Sequence, residues 1–182
     1  MIAYEQAVAI GFKPGEDVIF AYDAYKAYFY GGMYSWTIAE FQRAKKAIAV
    51  KLGIDWKDVP FGLVSQAHMD KSNTLRGHGP VVSEKEMYTC WSKSVDVSGI
   101  GGLYIVECEV VNTDTQEEAL DILGQAYSAA IDAGAKSFIL YEGTRSSNMP
   151  DPNWFDPKLA LFDANRKTTP YYQKLLQVIR DA

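Results

Sequence analysis

The chain is poor in the residues that build metal and redox centres. Its 182 residues include two cysteines, Cys90 and Cys108, and two histidines, His68 and His78. Two cysteines cannot frame a disulfide scaffold or complete a thiolate metal cluster, and both read as small buried apolar residues. No metal and no cofactor is expected. Basic charge is also short. Eighteen Lys and Arg stand against 23 Asp and Glu, a net charge of −5. That balance does not suit a phosphate backbone, so a nucleic-acid partner is not expected. No apolar run is long enough to cross a bilayer, so a membrane is not expected either. The opening segment MIAYEQAVAIGFKPGED lacks a basic start, and Glu5 and Gln6 interrupt its apolar run. It does not read as an export signal, and the sequence assigns no compartment.

What is present is a globular composition, 48% hydrophobic and 13% aromatic, with core-forming capacity for one soluble domain over residues 1–182. Apolar runs and helical patterns alternate. Val18-Ile19-Phe20-Ala21-Tyr22 reads as a buried strand after the turn Lys13-Pro14-Gly15. Residues 36–52 place Ile38, Phe41, Ala44, Ile48 and Leu52 at helical spacing, with Gly53 as the stop. A second strand fits residues 60–65. Ser83 and Glu86 form the capping-box pattern of a helix reaching about residue 95. A third strand fits 103–106, a helix 116–133 opens at Thr115 and closes at Gly134, and a fourth strand fits 137–141. The last helix is expected over residues 169–179, and residues 4–10 form a scrap of helix with no strand before it.

Short apolar strands alternating with helices predict βαβ units and a parallel sheet. The fold class is therefore α/β, with four βα units over residues 16–182 and residues 1–15 as the end of a preceding helix. Parallel α/β folds carry their chemistry at the C-terminal ends of the strands. Gln66 and His68 stand two apart on one such end, and Glu107 and Glu109 two apart on another. Each pair shares a face, and Ala67 and Cys108 turn to the helices. Glu107 closes the apolar run Tyr104-Ile105-Val106, where a carboxylate either reaches solvent or serves a function. His78, in the loop Arg76-Gly77-His78-Gly79-Pro80, reads as solvent-exposed.

From about Val59 onward these motifs resemble the C-terminal half of glycoside hydrolase family 10, the retaining endo-β-1,4-xylanases. Phe61-Gly62-Leu63-Val64-Ser65-Gln66-Ala67-His68-Met69 resembles the sixth strand of that barrel. Leu103-Tyr104-Ile105-Val106-Glu107-Cys108-Glu109-Val110 resembles the seventh, Phe138 to Thr144 the eighth, and Leu161-Phe162-Asp163-Ala164-Asn165 with Pro170-Tyr171-Tyr172 the closing segment. Val18 to Tyr25 matches the fifth strand loosely, through Asp23. The resemblance implies roles. Glu107 falls on the nucleophile, His68 on the imidazole that bonds it, and Glu109 on the acid that orients His68. Gln66, Asp23, Tyr141 and Trp154 fall where sugar is bound, although Trp154 also suits ordinary loop packing. Departures are plain: Glu109 replaces an Asp, Tyr141 a Trp, Glu142 a Gly, and Arg145 stands where Asp is usual.

A complete (β/α)8 barrel takes about 250 residues, so 182 residues suit half of one. The family's acid/base Glu belongs to the fourth strand, and no matching motif precedes Tyr22. A single nucleophile does not make a two-carboxylate mechanism. Three readings follow from the resemblance. A complementary N-terminal half-barrel completes an enzyme acting on xylan or a related β-glycan; or a second copy closes the barrel as a homodimer; or the chain is a non-catalytic sugar-binding or structural remnant.

Overall fold

A computed structural model describes residues 2–31, 34–141, 161–163 and 165–181. The expected alternation is present. Strands β1 (Phe20–Tyr25), β2 (Phe61–Asp70), β4 (Leu103–Val111) and β5 (Ser137–Leu140) lie side by side in that order. Every pairing among them is parallel. Neighbours in sequence are neighbours in space, the order of a barrel wall. A two-residue strand, β3 (Gly79–Pro80), was not expected from the sequence. It pairs with Met69 and Asp70 of β2, beyond the point where β1 stops at Gln66. Because β4 occupies the other edge of β2, β3 takes over the edge that β1 vacates.

Helices α1 (Ile2–Ala9), α2 (Tyr34–Leu52), α3 (Glu84–Ser98), α4 (Gln116–Asp132) and α5 (Pro170–Asp181) complete the described elements. Both expected caps form. Ser83 Oγ accepts from the Glu86 amide at 3.2 Å, and Thr115 Oγ1 from the Glu118 amide at 3.1 Å. Each satisfies one orphan donor of a helix start. At the other end of α3, Gly99 adopts φ 54°. There the buried Lys45 ammonium donates to the Ser98 carbonyl. Burial pushes Lys45 down to about 8.

The helices cover one face of the sheet. Phe41, Met87, Cys90, Trp91, Ala119 and Ala126 pack there against Ala24, Leu63, Ala67, Met69, Leu103, Ile105 and Cys108. Trp91 is fully buried, and its indole N–H donates to Ser65 Oγ at 3.1 Å. The opposite face stays exposed at Asp23, Tyr25 and Ile139. β1 and β5 each have one paired edge among the described residues.

One irregularity decides where the chemistry points. Ser65 pairs with Ile105 but Gln66 pairs with Glu107, so β4 carries one extra residue at Val106. The same slip appears against β5, where Phe138 meets Ile105 and Leu140 meets Cys108. Before the bulge, Leu103 and Ile105 face the core; after it, Cys108 and Val110 do. A one-residue shift exchanges the two faces of a strand. Without it, Glu107 and Glu109 would share the apolar face of Leu103 and Ile105.

Candidate active site

The C-terminal ends of β1, β2 and β4 bring five of the expected site residues together. His68 is buried and stands between two carboxylates. Its Nδ1 lies 2.5 Å from Glu109 Oε1 and its Nε2 lies 3.0 Å from Glu107 Oε2. An ionised carboxylate only accepts, so an imidazole that bonds two of them does so with a proton on each ring nitrogen. Burial works to lower His68, but the bonds and charges of Glu109 and Glu107 outweigh it and raise it above its ordinary value. Gln66 links this chain to β1. Its Nε2 donates to Asp23 Oδ2 at 2.9 Å, and its Oε1 lies 3.3 Å from His68 Nε2. Burial and the charge of Glu107 raise Asp23, against the opposing Gln66 bond.

Aromatic rings flank His68. Tyr141 meets His68 edge-on with centroids 5.1 Å apart, and Tyr25 tilts against it at 5.9 Å. Trp154, Glu142 and Arg145 lie outside the described residues.

His78 corrects the sequence reading. It is buried rather than solvent-exposed, and its Nε2 lies 2.9 Å from the same Glu109 Oε1 that His68 holds. Burial alone would raise Glu109, but the two imidazoles hold it below the usual carboxylate range. The chain's only two histidines meet on one oxygen. The reason is the backbone after β2, which folds back to pair as β3 and carries His78 inward.

That loop is organised by Asp70, another residue the sequence reading passed over. Its carboxylate accepts from the amides of Ser72, Thr74 and Leu75 at 2.7–3.0 Å and from Asn112 Nδ2 at 2.8 Å. Burial would raise Asp70, but these donors outweigh it and hold it well below the usual carboxylate range. A carboxyl depressed on folding stabilises the fold above its unfolded value and loses that contribution as pH falls. Wild type should therefore lose stability progressively below about pH 4. Asp70→Ala, which leaves the three amides, Asn112 Nδ2 and the Ser72 hydroxyl without their acceptor, should cost about 3 kcal/mol at pH 7 and flatten that acid limb. Urea titrations at pH 3 and pH 7 measure both; an unchanged acid limb would count against Asp70.

His68, His78 and Glu109 are also the described residues able to hold a metal ion, with donor atoms within 4.8 Å of one another. The present spacing is that of hydrogen bonds. Two ligands of a tetrahedral zinc lie about 3.4 Å apart given bonds near 2.1 Å, whereas Glu109 Oε1 sits 2.5 and 2.9 Å from the two nitrogens.

Comparison with solved structures agrees with this architecture. An endo-1,4-beta-xylanase of Penicillium canescens matches 98% of the chain with a TM-score of 0.66 at 16% identity. Xylanase 10B of Thermotoga petrophila, solved with xylobiose, matches 91% with a TM-score of 0.55 at 16% identity. A glycosylated family 10 endo-beta-1,4-xylanase of Gloeophyllum trabeum matches 98% with a TM-score of 0.57 at 15% identity. The matched regions are 50%, 47% and 51% of those chains, so this chain spans about half their length. No protein-family model and no curated protein sequence matches it. The likeness shows the fold: the chain is an α/β structure with parallel strands that superposes on about half of a (β/α)8 barrel xylanase. No described helix is long and apolar enough to cross a membrane.

Proposed function

We propose that this chain supplies the nucleophile side of a retaining β-1,4-glycan hydrolase of xylanase type. The carrying observation is the Glu109–His68–Glu107 chain at the strand ends. His68 binds one oxygen of Glu107, fixing the side chain and leaving the other oxygen to attack. In the first step that oxygen bonds to the anomeric carbon and the glycosidic bond breaks. The departing oxygen takes a proton from a carboxylic acid roughly 5–5.5 Å from Glu107. Water then attacks the glycosyl-enzyme, giving its proton to the same acid group. Gln66 and Asp23 bind sugar hydroxyls, and Tyr141 presents a flat face to a ring.

The proton donor belongs to a complementary half-barrel. The exposed sheet face and the edges of β1 and β5 that have no partner strand among the described residues are the surfaces it would cover. The test is to mix the chain with the N-terminal half of a family 10 barrel carrying the acid/base Glu. Release of aryl alcohol from an aryl xyloside and of sugars from xylan should appear only in the mixture. Sedimentation of the chain alone separates a complementary half from a second copy. No hydrolysis from an assembled mixture, or from a homodimer, would overturn the reading.

A further inference from the structure

We propose that His78 is a positioning residue: it locks the Glu109 carboxylate, which in turn aims His68 at Glu107. The proposal rests on Glu107 being the attacking group, but its test needs no substrate. Glu109 has more torsional freedom than a shorter Asp would have, and it is buried. A buried carboxylate needs fixed donors, and a long one needs more than one to hold a single rotamer. His68 supplies one donor to Oε1 and His78 the second, at 2.5 and 2.9 Å. The His78 side chain is 1% exposed, and its ring stands edge-on to His68 with centroids 5.6 Å apart.

The loop that delivers His78 is held from three strands. From the end of β1, Lys26 Nζ donates to the His78 carbonyl at 2.6 Å and the Tyr25 hydroxyl donates to the Gly77 carbonyl. The Tyr28 hydroxyl lies 3.1 Å from the carbonyl oxygens of both His68 and Pro80, tying β2 to β3. A Cβ on Gly79 would collide with that hydroxyl, so this close approach requires glycine. From β2 and β4, Asp70 and Asn112 fix the start of the loop. So much restraint on one short loop fits a side chain whose position matters. His78 thus couples the tip of β1 to the orientation of Glu109 on β4, two strands away.

The two-histidine content makes the test direct. In chain labelled with 15N-histidine, His68 should show both ring N–H protons, with the Nδ1 proton far downfield from its short bond to Glu109. His78→Leu keeps volume but removes the donor, and it should broaden away or lose the His68 Nδ1 proton signal. His78→Gln places an amide N–H near the original Nε2 and should retain it. A folded His78→Leu with unchanged His68 signals would overturn the proposal, as would His78→Gln behaving like His78→Leu. Should His78→Leu fail to fold, the double variant Tyr25→Phe, Lys26→Met loosens the loop from its outer side. It should broaden both the His78 Nε2 and the His68 Nδ1 protons, and unchanged signals would overturn the proposal equally. Signal loss without hydrolysis in any assembled mixture would refute the proposed function alone. Hydrolysis with unchanged signals would refute the role of His78 alone.

Discussion

Glu107→Gln should cut turnover by the completed hydrolase about ten-thousand-fold or more, the scale seen when a covalent nucleophile is removed. The amide matches the carboxylate in shape, so the fold should stand. It cannot form the glycosyl bond, because its oxygen lacks the charge and its nitrogen is not nucleophilic. It also removes one of the two carboxylates on His68, whose raised titration should fall. Affinity for xylo-oligosaccharides should change only a few-fold, since the loss belongs to the transition state. Turnover on an aryl xyloside and calorimetry with oligosaccharide separate the two effects. A variant that keeps more than about a tenth of its turnover would mean the nucleophile is another group.

The largest stability effect is expected at Trp91. Trp91→Ala should cost about 4 kcal/mol, from lost burial and the cavity left between α3 and the sheet. For a chain of this size that lowers Tm by roughly 8–16 °C. Ser65 Oγ would also lose its indole donor. Trp91→Phe fills most of the space and should cost distinctly less. Urea unfolding with an unchanged slope would assign the loss to the folded state. A cost below about 1 kcal/mol would show that the helix layer closes over the gap.

Much of the fold was legible because its signals are local. The Ser83 and Thr115 caps, the apolar strands and the helical spacing of α2 each report on neighbours in sequence. The pairing of Gln66 with His68 and of Glu107 with Glu109 was legible for the same reason. The inward turn of His78 was not, because it depends on β3 meeting Met69 and Asp70 across a loop. A histidine between two glycines offers no periodicity, and only the following Pro80 and the rarity of histidine marked the segment. The role of Asp70 was hidden likewise: its donors come from residues 72–75 and from Asn112 on the next strand's end. The bulge at Val106 left no trace either, since an apolar run reads the same with one residue more or fewer.

That extra residue lets one strand send residues of the same sequence parity to opposite faces, Leu103 and Ile105 to the helices and Glu107 and Glu109 away from them. Removing Val106 would leave strict alternation with both carboxylates still facing away from the helix layer, whereas straightening the strand with Val106 kept would turn them into it, where Cys108 and Val110 now pack. Point substitutions at Leu103 or Ile105 leave the aim of Glu107 untouched, because the phase is reset after them. The strand therefore holds two independent reading frames, one for packing and one for chemistry. Sequence drift in the first can proceed without disturbing the second so long as Val106 stays outside the pairing between Ile105 and Glu107.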